Sequence, residues 1–222
     1  MSNSCVIAID GPSGAGKGTV ARALAKSLNC RHVDTGAMYR AVAWKVMHDG
    51  CELSDDAKIV EIAAGAQFDL DAEKIAVDGC DVTNQIRTPE IDAAAASVAR
   101  LPGVRSVLVD HQRELAAGGL VVMEGRDIGT TVFPDAAVKI YLDASPAERA
   151  SRRAKDPGHQ FSRNVAVGDV EDALRARDRS DLTRLTSPLT RAPDAVFVDT
   201  TGLPIDHVVS RVIELVHKTL RM

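Results

Sequence analysis

The sequence predicts an α/β protein built on a parallel five-stranded core sheet flanked by helices. Three observations lead there. Five apolar, β-rich runs recur along the 222 residues, and each ends at an acidic residue. Amphipathic helical stripes separate the runs, the alternation expected of right-handed strand–helix–strand units. A glycine-rich loop joins the first run to the first helix, at the sheet edge where such folds bind ligands.

The first run, Cys5 to Ile9, leads into Asp10-Gly11. Like several of the others it is near-continuously apolar, as suits a strand covered on both faces. Lys17 to Leu28 then sets Val20, Ala21, Leu24, Ala25 and Leu28 on one helical stripe. A short second run, His32-Val33, stops at Asp34-Thr35-Gly36. Residues 67–83 break the rhythm. Polar and apolar residues alternate there around Asp78-Gly79, a hairpin signal, so a small antiparallel insert is expected. Thr88-Pro89-Glu90 opens a helix. Leu120 to Met123 ends at Glu124-Gly125, and Val138 to Leu142 ends at Asp143. Ser145-Pro146-Ala147-Glu148 reads as a capping box with Pro at the first helical position. Residues 155–168, with Lys155-Asp156-Pro157-Gly158 and Gly168, read as a mobile loop. Ala195 to Val198 ends at Asp199, and a last helix repeats Ile205, Val208, Val209, Val212, Ile213, Val216 and Leu220.

Composition excludes several classes. Apolar residues make up 45% of the chain and charged residues 26%, ordinary for a globular domain. No apolar run approaches the ~20 residues that span a bilayer, so no membrane partner is expected. The first residues lack the basic-then-apolar pattern of a secretory signal, which makes a cytoplasmic location the expectation. Cys5, Cys30, Cys51 and Cys80 form no C-x-x-C pair and no metal-site spacing, and they read as reduced filler. A net charge of −4 and an aromatic content of 3% argue against nucleic acid as a partner. Segment 145–191 departs from the acidic whole, with ten Lys or Arg against seven Asp or Glu. Nine of those ten are Arg, whose planar fork grips phosphate oxygens in pairs.

The loop Gly11-Pro12-Ser13-Gly14-Ala15-Gly16-Lys17 fits G-x-x-x-x-G-K, between an apolar strand and an amphipathic helix. Its glycines let backbone N–H groups wrap a phosphate, and Lys17 adds a charge for the β- and γ-phosphates. The helix that follows points its positive end at them. The usual next residue is Ser or Thr. Here it is Gly18, and the hydroxyl is displaced by one position to Thr19.

Gly18-Thr19 at this point resembles the nucleoside monophosphate kinases. Three further segments narrow the resemblance: Asp34-Thr35-Gly36-Ala37-Met38-Tyr39-Arg40; Glu124-Gly125-Arg126-Asp127-Ile128-Gly129-Thr130 with Val132-Phe133-Pro134-Asp135; and Arg177-Asp178-Arg179-Ser180-Asp181 with Arg184. Together with the loop they resemble the bacterial cytidylate kinases over essentially the whole chain, hairpin insert included. Glu124 departs mildly, since the family pattern more often has Asp there.

The resemblance implies a P-loop kinase fold. Its core comprises residues 1–35, 104–145 and 166–222, its acceptor-nucleotide unit with the β insert spans 36–103, and a short lid spans 146–165. It implies transfer of the γ-phosphoryl group of ATP to CMP or dCMP, with Mg²⁺ accompanying ATP. Gly11 to Thr19 would hold ATP. The acceptor oxygen is already anionic, so alignment and charge neutralisation replace a strong base. Arg40 and Arg126 follow strand ends and are expected at the acceptor phosphate, with Thr35 and Tyr39 beside them. Arg105, Asp127 and Ser97 are carried over as base readers. A carboxylate accepts from the exocyclic amine of cytosine, where uracil offers a carbonyl. Arg177 and Asp181 are carried over at the ribose, and Arg184 near the transferring phosphoryl. Lys17, Arg126, Arg153 and Arg184 form the implied catalytic set. Arg149, Arg152 and Arg153 share a helical face leading into the lid, whose closure would exclude water. No protein cage for the metal is expected, and Thr19 and Asp34 are its candidate contacts.

Plainer readings stand beside these. Arg40 pairs with Asp34 or caps a helix; Arg149 sits on a solvated helix face; Tyr39 packs in the core; Asp34 caps a strand end. Arg177 and Asp181 stand at i, i+4, where a helical ion pair is the competing reading. At the level of function, an alcohol acceptor would want Asp34 as its base. A nucleotide switch of the GTPase kind would carry N-K-x-D, and none is present. A monomer is expected, because no heptad or exposed apolar stripe is evident.

Overall fold

A computed structural model describes residues 5–71, 74–156 and 167–220. Five parallel strands form the main sheet: β1 (Cys5–Asp10), β2 (Arg31–Asp34), β6 (Leu120–Gly125), β7 (Val138–Asp143) and β8 (Val196–Asp199). Their spatial order is β2-β6-β1-β7-β8. A second, antiparallel sheet of β3 (Phe68–Leu70), β4 (Ile75–Val77) and β5 (Cys80–Asp81) is the expected insert. Asp78 and Gly79 turn β4 into β5 with φ values of 51° and 76°, the doubly left-handed turn that this dipeptide favours.

The helices are α1 (Lys17–Ser27), α2 (Thr35–His48), α3 (Asp56–Gly65), α4 (Pro89–Val98), α5 (Pro102–Leu115), α6 (Pro146–Lys155), α7 (Val167–Thr183) and α8 (Ile205–Leu220). A single π-helical turn spans Ile128–Val132. Strand pleating divides the core in two. Val6 and Ala8 of β1 face α2, α4 and α5, while Ile7 and Ile9 face α1 and α8. On that second side Val20 and Leu24 of α1 meet Val208, Val212 and Val216 of α8, the stripes read from helical spacing.

Two local readings need correction. Gly168 lies inside α7, not in a loop, and α6 runs on to Lys155. The rest of the expected lid, 157–165, falls outside the described residues. The capping box at α6 is only half formed: Ser145 Oγ accepts from Glu148 N at 3.3 Å. The Glu148 carboxylate instead accepts from Arg152, 2.9 Å away, because a guanidinium one turn on outbids a backbone N–H.

Register aligns the strand ends. Asp34 lies opposite Glu124, Asp10 opposite Gly125, and Asp143 opposite Asp199. The acidic residue closing each run therefore stands on one edge of the sheet. Leu24→Ala, in the fully buried α1–α8 layer, is expected to cost about 2–5 kcal/mol. Leu185, 98% exposed, is expected to change by less than about 0.5 kcal/mol on the same substitution. Urea unfolding of both variants checks the contrast.

Candidate functional site

Above the carboxyl edge of the sheet opens a cleft of about 480 Å³. The phosphate loop is its floor. The backbone at Gly11 has φ 148°, and a Cβ there would stand 1.9 Å from the Leu142 carbonyl oxygen, so the loop lies directly on β7. At Gly14, φ 80°, a Cβ would press on Arg149 at 3.0 Å. Gly16 ends the loop in the left-handed region and starts α1. Lys17 is buried, and its Nζ donates to the Pro12 carbonyl at 2.8 Å. Burial first, and the Arg126 charge second, lower the Lys17 pKa to about 7.

Helix α6 grips this loop from above. Arg149 Nη1 donates to the Ser13 carbonyl at 3.0 Å and to Asp178 Oδ2 at 2.6 Å, while its Nε donates to the Ala144 carbonyl at 3.0 Å. Arg149 is buried, so the solvated-face reading fails. Its neighbours on the face are engaged too. Arg153 donates to Ser13 Oγ at 2.8 Å, and Arg152 to Thr200. The Thr200 hydroxyl is in turn 3.4 Å from the Ala15 carbonyl oxygen.

A second group of candidate residues gathers around the ends of β2 and β6. Asp34 caps α2, accepting from Ala37 N at 3.0 Å, and its second oxygen accepts from Arg40 at 3.1 Å. Thr35 Oγ donates to the Glu124 carbonyl at 2.7 Å. Gly125 permits this: a Cβ there would stand 2.7 Å from both Thr35 Oγ1 and Ile128 Cδ1. Asp127 is clamped between Arg105 and Arg184, the latter at 3.3 Å. Arg105 also lies over the Tyr39 ring, 5.6 Å from its centroid, and burial pushes the Tyr39 phenol up to about 12. Asp181 accepts from Arg126 at 2.9 Å and faces Arg184 at 3.7 Å. Arg177 pairs with Asp92 of α4 at 2.7 Å. The helical Arg177–Asp181 pair therefore does not describe these residues; each reaches another element.

Lys17, Gly18, Thr19, Asp34, Arg40, Arg126 and Arg153 all border the cleft. Thr35, Arg105, Asp127, Asp181 and Arg184 are buried behind it. Ser97 is exposed on α4. Among the described residues, Arg40 Nε, Arg105 Nε and Nη1, and Arg177 Nε are buried donors with no hydrogen-bond partner. Such groups are costly to leave unmet, and their common chemistry calls for an oxygen-rich ligand.

Sequence reasoning missed three supports. Asp10 accepts from Ile128 N and Gly129 N, both at 2.8 Å, and burial raises its pKa to about 6 against those two bonds. Asp92 joins α4 to Arg177. Asp178 anchors Arg149. Asp10 carried a signal in its place in the row of acidic strand ends and Asp178 in its motif segment, but Asp92 carried none. For the metal, no group of three His, Cys, Asp or Glu among the described residues could hold an ion.

The comparisons with known proteins follow this geometry. The family model described as cytidylate kinase matches residues 7–218. A cytidylate kinase of Limosilactobacillus reuteri is 43% identical over 223 residues, covering 99% of this chain and 98% of its own. One from Pelotomaculum thermopropionicum is 47% identical over 215 residues, covering 93% of each. A solved structure of an uncharacterized protein from Eubacterium ventriosum superposes with a TM-score of 0.50 at 13% identity, covering 97% of this chain and 99% of that one. That likeness concerns the fold alone. Among the described residues no helix is long and apolar enough to cross a membrane.

Arg149 is the bracket on which the loop's position depends. Arg149→Ala is expected to destabilise by about 3–5 kcal/mol, since it strands the buried Asp178 carboxylate. Arg149→Lys is expected to recover only part, because one ammonium cannot reproduce the fork. Urea unfolding measures both.

Proposed function

Because this chain belongs to the cytidylate kinase family, we propose that its cleft transfers the γ-phosphoryl group of ATP to the phosphate of CMP or dCMP, yielding ADP and CDP or dCDP. The observation that carries this reading is that the phosphate-loop Lys17 and the acceptor-side Arg40 and Arg126 border one cleft. Donor and acceptor phosphates are thereby brought together by fixed cations. Two mutually repelling phosphates need that arrangement before an in-line transfer can start.

In this reading Gly11 to Thr19 wrap the ATP phosphates with backbone N–H groups, and Lys17 neutralises the β,γ-bridge region. Arg40 and Arg126 hold the acceptor phosphate, with Arg126 held by Asp181 and already aimed. Arg153, kept at the loop by Ser13, and Arg184 meet charge on the transferring group. Asp127 reads the cytosine amine, and the free donors of Arg105 suit the base's carbonyl. Thr35, Tyr39 and Ser97 complete the nucleotide's surroundings, and Arg177 and Asp181 meet the ribose. Residues 36–103 form the acceptor unit. No proton acceptor is required at the attacking oxygen.

The metal fits this picture as an ion carried by ATP. Thr19 is exposed and borders the cleft, whereas both Asp34 oxygens are engaged, so the chain offers few direct ligands. Mg²⁺ commonly keeps its waters and binds through nucleotide phosphates, whose charge it neutralises. Asp34 then acts from outside the ion's own ligands. The same engagement argues against an alcohol acceptor, which would need Asp34 free as a base.

Coupled ADP production with ATP and Mg²⁺ tests the reading against CMP, dCMP, UMP, AMP and shikimate-like alcohols. Fast turnover is expected with CMP and dCMP alone, and Asp127→Ala is expected to erode that preference by roughly 10- to 100-fold. An inert CMP with another active acceptor overturns it. A second expectation concerns pH. The Lys17 pKa is about 7 in the free protein, and bound phosphates raise it. ATP affinity should therefore be level below about pH 7 and fall as pH rises beyond, with a proton taken up on binding. Calorimetry in buffers of different ionisation heat reads this. Affinity that stays flat from about pH 6 to about pH 9 contradicts it.

A further inference from the structure

One buried pair at the site has no part in the mechanism so far. His32 of β2 and Glu124 of β6 are 5% and 6% exposed, and His32 Nε2 lies 3.0 Å from Glu124 Oε1. The strands they sit on are already zipped by backbone bonds, with Asp34 opposite Glu124. The pair is not needed to join them.

What the pair does position is a carboxylate. Glu124 borders the cleft. Its Oε1 stands 3.2 Å from where a Cβ on residue 18 would be. That is tight enough to force a shift in one or the other. Position 18 is where the phosphate-loop pattern ordinarily carries Ser or Thr, and here it is Gly. A side chain on residue 18 would thus press on the Glu124 carboxylate, and also on the Arg22 guanidinium, whose Nη1 stands 3.3 Å from the same point. Glu is also one methylene longer than the Asp expected from the family resemblance. It has an extra torsion to fix, and a hydrogen bond from the buried His32 ring fixes it.

We propose that His32 is a positioning residue: it holds the Glu124 carboxylate over Gly18, in the place a side chain on residue 18 would otherwise take, facing the donor nucleotide's phosphates. This rests on the phosphotransferase reading above. Gly18, Glu124 and His32 then form one coupled unit on the ATP side of the cleft, separate from the Asp127 cluster that meets the acceptor.

The test uses the full chain. Its variants are His32→Leu, His32→Gln, Glu124→Asp, the double variant His32→Leu/Glu124→Asp, and Gly18→Ser with and without Glu124→Asp. Read out are the ATP dissociation constant by calorimetry with and without Mg²⁺, the KM values for ATP and CMP, and Tm. His32→Leu is expected to weaken ATP binding roughly tenfold, in line with loss of a residue that orients a ligand. KM for CMP should stay within about twofold. His32→Gln, whose amide can still donate to the carboxylate, should restore most of the loss. In the Glu124→Asp background the shorter side chain no longer reaches His32, so His32→Leu should add nothing. Gly18→Ser should weaken ATP binding in the Glu124 background and be relieved by Glu124→Asp.

The proposal is overturned if His32→Leu leaves ATP binding unchanged while lowering Tm, since the pair would then only brace the strands. Additive effects of His32→Leu and Glu124→Asp overturn it as well. Should His32→Leu not fold, His32→Asn, too short to reach Glu124, takes its place in the cycle. Failure of the underlying reading looks different: the unaltered protein would bind ATP without consuming it in the presence of CMP.

Discussion

Guanidinium groups crowded onto one cleft repel each other, and the site stands only because carboxylates are threaded between them. Two like charges about 4 Å apart cost about 4 kcal/mol at an effective dielectric near 20, so an unbroken cluster would push itself open. Here one chain runs Arg105, Asp127, Arg184, Asp181, Arg126, each in contact with the next. A second series runs Arg177, Asp92, Arg153 and ends on the phosphate loop at Ser13. Burial alone would raise the Asp181 carboxyl. Arg126, Arg177 and Arg184 outweigh that and hold it below the usual carboxylate range. Asp181 therefore stays ionised and orients the arginines on either side.

The strand ends, the loop and most of the helices were legible because their signals are local. Gly11 to Lys17 announces a phosphate loop through spacing alone. The Asp78-Gly79 hairpin and the stripe on α8 follow from turn chemistry and helical period. The site's ligand-facing residues were legible only as members of motifs. Their partners were not. Arg177 finds Asp92 across 85 residues, and Asp10 reaches Gly129 across 119, separations that no short pattern spans. Arg149 shows the cost of this. Spacing put it on the same face as Arg152 and Arg153, but it took the tertiary contact with Ser13 and Asp178 to reveal a buried bracket.

The bond that Asp10 makes has a mechanical meaning. One carboxylate at the end of the central strand, immediately before the phosphate loop, grips two successive amides of the π-helical turn that follows Asp127. The phosphate loop and the Asp127 segment are thus bolted to the same post. Arg177 and Asp92 sit on helices, α7 and α4, outside that bolt. A substitution at Asp10 would therefore reach the phosphate loop and the Asp127 segment at once.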